Sequence, residues 1–240
     1  MGLKEGVIGV VEKVLNFSTA KATRVEVLSD EFRLVEWESL GFRKTDWKPG
    51  DKIQIGLSLQ FRTYTPVSLD KKTGKMEILA YFHNPDSLAG TWIRSLKVGD
   101  KFQYFGPRGS LAFNECNFPN IYFFGDETSF GVASNLRKAK PEANIHFFFE
   151  VSNPSSAKVV IGKLKLGDIG LVQKESEDSH LKKIILGFQN KQIDYKNSNF
   201  ILTGKAQSIQ VILPFIKKES VPSRNIKVKA YWSVGKKGLD

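Results

Sequence analysis

The chain has 240 residues, 41% of them hydrophobic and 25% charged, enough apolar side chain for one large core or two ordinary ones. Its single cysteine, Cys116, excludes an intrachain disulfide framework and suits a reducing compartment, and no stretch approaches the ~20 apolar residues of a membrane span. The net charge of +11 divides unevenly, +3 over residues 1–120 and +8 over 121–240, which favours anionic partners such as dinucleotides, anionic iron chelates or nucleic acid. The opening residues lack the apolar stretch of a secretory signal, so a soluble, cytoplasmic protein is expected.

In chain order, residues 6–14 alternate weakly between apolar and polar, and 22–28 do so clearly. Residues 51–59 and 75–82 alternate again, with Asp70-Lys71-Lys72-Thr73-Gly74 as the turn between strands. Trp47-Lys48-Pro49-Gly50-Asp51 and Val98-Gly99-Asp100 are turns that each precede a strand, the second leading into 101–105. Short strands and turns at this density predict a small antiparallel barrel. A helix is expected from Gly90 to Leu96.

Beyond 120 the rhythm changes. Residues 121–124, 144–151, 182–186 and 200–203 are apolar runs read as strands, and 226–232 is a further strand. Helical patterns cover 129–139 and 206–218. Apolar strands alternating with helices predict a parallel sheet. The whole reads as an α+β protein of two domains, 1–115 and 120–240, joined through the polar connector 113–120.

Five constellations carry chemistry. In Phe61-Arg62-Thr63-Tyr64-Thr65-Pro66 an Arg, an aromatic and hydroxyls crowd one strand end. A guanidinium grips a diphosphate with a planar donor fork, a Tyr ring packs on a flat ring system, and a Thr hydroxyl bonds a ring nitrogen or oxygen. That set suits a flavin, although Arg, Tyr and Thr are also ordinary strand residues. The segment from His83 to Trp92 places the small residues Ala89, Gly90 and Thr91 at a helix start, where free N–H groups attract phosphate. Gly106-Pro107-Arg108-Gly109 is a tight basic turn whose Arg108 is available to a phosphate or a partner.

The fourth, Gly125-Asp126-Glu127-Thr128, joins a strand to a helix, the place where open α/β sheets bind ligands. It is not G-x-G-x-x-G. Thr128 either caps the helix or touches a nicotinamide, and Asp126 and Glu127 lie in the same turn. The fifth, from Lys229 through Tyr231 and Trp232 to Lys236 and Lys237, sets aromatics beside cations, suited to stacking on a nucleotide or a catecholate-like ligand. Its alternative is a terminal edge strand covering the core. His83, His146 and His180 show no metal-ligand spacing, and no metal is expected.

In their order along the chain these motifs resemble the siderophore-interacting protein family of ferredoxin-reductase-like flavoproteins. Arg62-Thr63-Tyr64-Thr65 matches R-x-Y-[ST], and Gly125-Asp126-Glu127-Thr128 matches G-D-E-T. His83 to Trp92, Gly204-Lys205-Ala206 and Tyr231-Trp232-Ser233-Val234-Gly235 resemble H-G-x-x-G-P-A-S-x-W, G-E-A and Y-W-R-R-G. The resemblance implies a six-stranded FAD-binding barrel followed by an NAD(P)H-binding α/β domain. The implied activity moves a hydride from NADH or NADPH to flavin and single electrons onward to ferric siderophore, releasing Fe(II).

By the same resemblance, Arg62, Thr63, Tyr64 and Thr65 hold the flavin, with Thr65 and Thr128 nearest the chemistry. His83, Ala89, Gly90, Thr91 and Trp92 line its diphosphate and nucleotide side. Asp126, Glu127 and Trp232 complete the cofactor set. The positive charge of the second half, rather than the resemblance, makes Lys205, Lys229, Lys236 and Lys237 the candidates to face an anionic iron chelate. Val67, Lys205, Ser233 and Val234 depart from the family pattern. A reductase with ferredoxin or another protein as partner is the close alternative, and a basic nucleic-acid-binding module the distant one. A monomer without membrane or nucleic-acid partners is expected.

Overall fold

The structure, a computed structural model, describes residues 17–57, 60–82 and 87–235. The expected strand over 6–14 lies outside the described residues, as do His83, Lys236 and Lys237.

Seven strands form the first sheet: β1 (Ser18–Val27), β2 (Phe32–Glu38), β3 (Lys52–Leu57), β4 (Gln60–Tyr64), β5 (Pro66–Asp70), β6 (Lys75–Tyr81) and β7 (Lys101–Arg108). They run in the order β4-β3-β7-β1-β2-β6-β5, antiparallel throughout. β4 and β5 end this order on opposite sides, yet only Thr65 separates them in the chain. The two edges therefore meet at Thr65, and the sheet closes on itself. The six-stranded barrel expected from the resemblance becomes seven strands because the chain breaks at this corner. Inside lie Trp37, Ile53, Ile55, Met76, Ile78 and Phe102, all buried.

Helix α1 (Leu40–Arg43) crosses one barrel end, where Phe42 packs on Tyr104 at 4.6 Å between ring centroids. Helix α2 (Leu88–Ser95) covers the core elsewhere, with Trp92 edge-on to Phe102 at 5.9 Å.

The second sheet is parallel and five-stranded, in the order β10-β9-β8-β11-β12. Its strands are β8 (Asn120–Asp126), β9 (Asn144–Val151), β10 (Ile169–Gln173), β11 (Ser198–Lys205) and β12 (Ile226–Trp232). Helices α3 (Phe130–Ala139), α4 (Pro154–Leu164), α5 (Leu181–Gln189) and α6 (Ala206–Lys218) connect them. The order reverses between β8 and β11, so a ligand crevice is expected at the carboxyl ends of those strands.

The strand expected over 182–186 is a helix. Leu181, Ile184 and Phe188 are buried while Lys182, Lys183 and Leu186 face out, a spacing of three and four residues that only a helix produces. The strand that takes its place, β10, is a half-exposed edge strand interrupted by Gly170 and carries too weak a pattern to read. Helix α4 begins at Pro154 behind the N-cap Asn153, whose side chain accepts from the amides of Ser155 and Ser156.

The barrel and the parallel sheet share apolar contact. Phe32, Val67 and Leu79 of the barrel pack in one cluster with Phe130, Val132 and Leu136 of α3 and Phe149 of β9. Phe130 is the hinge pin of that cluster, with ring centroids 5.9 Å from Phe32 and 4.7 Å from Phe149. Phe130→Ala is expected to lower stability by about 3–5 kcal/mol. The loss should appear in both halves together when denaturant unfolding is followed by near-ultraviolet and far-ultraviolet circular dichroism.

Candidate functional site

Register fixes the faces of β4. Ile55 opposes Arg62 and Ile53 opposes Tyr64, so Arg62 and Tyr64 share one face while Phe61 and Thr63 take the other. The Arg62 guanidinium donates to the carbonyl of Phe61 at 3.0 Å, which tethers the head beside its own strand. Tyr64 is half-buried against the barrel core, and burial, opposed by the Arg62 charge, holds its phenol well above the usual range. It is a neutral aromatic surface at any physiological pH. At the corner, the Thr65 side chain lies beside the hydroxyl of Tyr231, and that buried hydroxyl has no hydrogen-bond partner among the described residues. An orphaned hydroxyl beside a threonine, an aromatic and an arginine is a donor set that fits a flavin ring and its diphosphate.

The start of α2 supplies the anion end. Ser87 caps the helix, its hydroxyl accepting from the amide of Gly90 at 3.0 Å and its carbonyl from that of Thr91 at 2.8 Å. Gly90 is buried, Ala89 half-buried and Thr91 exposed. Trp92 is packed on the barrel core. The sequence reading missed Arg33, whose guanidinium lies 5.2 Å above the Phe82 ring. Burial and the neighbouring Arg94 lower its pKa, partly offset by Asp30. Arg108 is committed elsewhere, donating to Gln54 at 2.6 Å and lying over Phe105. With Phe17 and Phe61 these residues line a small pocket of about 80 Å³.

The carboxyl edge of the parallel sheet gathers charge. Asp126, fully buried at the end of β8, accepts from the Thr128 amide at 2.9 Å, from the Thr128 hydroxyl at 2.5 Å and from the Trp232 indole at 2.6 Å. Gly204, at φ +98°, leaves room for it: a Cβ there would stand 2.6–2.8 Å from the carboxylate atoms. Glu127 accepts from the Ser152 amide at 2.5 Å and pairs with Lys174 at 2.5 Å. The Lys174 ammonium lies 5.7 Å above the Trp232 ring. Glu150, at the end of β9, bonds His180 at 2.6 Å, and the other His180 nitrogen accepts from the Glu175 amide. That acceptor role places the proton on the nitrogen facing Glu150. Lys205 is paired with Asp178 at 2.7 Å, and Lys229 sits half-buried on the edge strand β12. Among the described residues these acids do not form a group able to hold a metal ion.

Glu150, Lys174 and Asp178 were not singled out in the sequence, His180 was read only as lacking metal-ligand spacing, and Tyr231 only as a ring beside cations. Their signal was slight: a charge closing each apolar strand at the same edge. The pairs lie 30 residues apart for Glu150 and His180 and 47 for Glu127 and Lys174, so only the fold brings them together.

A family model described as the siderophore-interacting FAD-binding domain matches residues 23–111. No curated protein matches the sequence. Among solved structures, the siderophore-interacting protein from Acinetobacter baumannii superposes with TM-score 0.77 at 17% identity, covering 92% of each chain. A siderophore utilization protein from T. fusca gives 0.78 at 16%, covering 93% of this chain and 95% of that one. The ferredoxin reductase in carbazole 1,9a-dioxygenase gives 0.70 at 15%, covering 90% of this chain and 69% of that one. At these identities the structures establish the fold alone, which is the ferredoxin-reductase-like one. The domain model that matches residues 23–111 is that of the family the motifs resemble.

Burial raises the carboxyl pKa of both Asp126 and Glu150, opposed by Lys174 at the first and by the hydrogen bond from His180 at the second. An acid raised in the folded state binds its proton more tightly folded than unfolded. Its contribution is therefore greatest in acid and declines as pH rises above the ordinary carboxylate range. Glu150→Gln keeps an acceptor for His180 and removes the titration. The variant should lose less stability than the wild type between about pH 5 and about pH 8 in denaturant titrations; equal slopes would remove Glu150 from the pH dependence.

Proposed function

We propose that this protein is a ferric-siderophore reductase that binds FAD and draws electrons from NADH or NADPH, acting as a cytoplasmic monomer with a flavin domain over 1–115 and a nucleotide domain over 120–240. The observation that carries the reading is the meeting of two sites. The Arg62–Thr65 strand end touches the carboxyl edge of the parallel sheet, through Thr65 beside Tyr231 and through Tyr81, whose phenol lies beside Glu127 and Ser152. The family model and the fold support the flavin; the substrate and the donor rest on the resemblance.

Bound FAD would supply the two-electron to one-electron conversion that joins a hydride donor to ferric iron. The chain's own residues do the placing. Arg62 pairs with the diphosphate as a charge-assisted fork. Tyr64 offers its neutral ring as a wall, and Thr65 and the free Tyr231 hydroxyl offer hydrogen bonds to ring heteroatoms. The capped start of α2 adds backbone amides at the anionic side. Asp126 fixes the Trp232 ring and the Thr128 hydroxyl at the nucleotide side of the junction. The iron chelate, an anion, is drawn by the net +8 of residues 121–240.

That same charge favours a second reading, in which an acidic ferredoxin is the electron donor. The lysines at the carboxyl edge are already paired, Lys174 with Glu127, Lys205 with Asp178 and Lys183 with Glu175, while Lys182, Lys191, Lys217 and Lys218 stand exposed.

Anaerobic titration separates these readings. The visible flavin absorption should bleach with NADH or NADPH and return when ferric catecholate is added. Bleaching with reduced ferredoxin alone would select the second reading, and a flavin that no ferric chelate reoxidises would end the siderophore assignment. Arg62→Ala should weaken FAD binding by about 10–100-fold with the fold intact, measured by fluorescence quenching of FAD.

A further inference from the structure

The barrel seam leaves β5 as the last strand of its sheet, with carbonyls that no neighbouring strand takes. Helix α3 of the other half supplies the donors instead. Asn135 donates its side-chain amide to the carbonyl of Pro66 at 2.7 Å, and the Lys138 ammonium reaches the carbonyl of Val67 at 3.1 Å. At Gly131 the helix comes so near the corner that a Cβ would stand 3.2 Å from the carbonyl oxygen of Thr65. Residues 131, 135 and 138 form one stripe along the helix, so three successive carbonyls of the corner meet three successive steps of a single face.

Asn135 is an odd choice for stability. It is fully buried, and its side-chain oxygen has no hydrogen-bond partner among the described residues. A buried orphan acceptor is costly, and the residue is retained together with its bond to the Pro66 carbonyl. Helix position 131 is equally odd, since glycine is a poor helix former and alanine a better one. Both residues weaken α3 and both point at the Thr65 corner.

We propose that Asn135 and Gly131 are positioning residues for the flavin, holding the Thr65 corner at the depth and angle that the cofactor requires. The inference rests on the reading that residues 62–65 hold FAD. Helix α3 follows directly on the Gly125–Thr128 turn, so the helix that carries the nucleotide-side turn also sets the flavin-side strand. Its rigidity fixes the distance between the two sites. The residues act through the backbone of 65–67 and touch neither ligand themselves.

The test uses the full-length protein with FAD as the probe. Asn135→Leu and Gly131→Ala are compared with the wild type for thermal stability without cofactor, for FAD affinity by calorimetry, and for the position and shape of the bound flavin absorption band. Asn135→Leu removes an orphan acceptor but also the donor to the Pro66 carbonyl, and Gly131→Ala gains helix propensity but presses on the Thr65 carbonyl, so both variants are expected to stay folded with melting temperatures near that of the wild type without FAD. Both should bind FAD roughly three- to tenfold more weakly and shift the flavin band, because the corner relaxes in one and is pushed in the other. Wild-type affinity and an unchanged band in both variants would overturn the inference. So would a loss of affinity that merely tracks a loss of stability, which is the signature of a residue that only packs. A wild-type protein that takes up no FAD at all sinks the flavin reading and this inference with it, a result distinct from variants that bind as the wild type does.

Discussion

The corner at Thr65 is the constraint on which the rest of the structure depends. One residue closes the barrel by joining the first and last strands of its order, and the same residue brings the Arg62–Tyr64 strand against the second half. A closed barrel removes edges, yet the seam beside the corner leaves carbonyls that need donors. Those donors come from α3. Below the polar contacts lies the apolar cluster around Phe130, which belongs to both sheets. The two halves are consequently not free bodies on a linker. They are fused at the junction where the proposed flavin and nucleotide sites adjoin.

Charge at the carboxyl edge follows the same logic at greater cost. Asp126, Glu127 and Glu150 are all buried, against one lysine and one histidine, and taking each charge out of water costs several kcal/mol after relaxation. Compensation is local. Asp126 accepts three hydrogen bonds, Glu127 a backbone amide and the Lys174 ammonium, and Glu150 the His180 ring. Such a network is poor material for stability alone and good material for holding groups in fixed directions. What it holds is Trp232, Thr128 and the Tyr81 side of the barrel. Glycine at 204 is the backbone's concession to it.

Much of this was legible in the sequence where a pattern is local. The strands at 144–151 and 226–232 and the helix at 206–218 have the bounds that periodicity predicts, because each pairs a clear repeat with a clear stop. The Arg62–Thr65 motif was legible as a strand end that crowds an Arg, an aromatic and hydroxyls, and Gly125–Thr128 as the turn at the switch between β8 and β11. The helix at Leu181–Gln189 was misread because three consecutive apolar residues hide a helical spacing that depends on Leu181 and Phe188 at its ends. The acidic cluster and the α3 stripe were not legible at all. Gly131, Asn135 and Lys138 look like an unremarkable helix face until β5 lies across them, 69 residues away at Asn135.

The account stands or falls on where the flavin sits, and a crystal structure of the protein grown with FAD measures that directly. The account predicts the ring system at the Thr65 corner, walled by Tyr64 and within reach of the Tyr231 hydroxyl, with the diphosphate on Arg62 and the start of α2. FAD bound elsewhere on the barrel, or a ring that leaves the Tyr231 hydroxyl without a partner and Thr65 untouched, would contradict it.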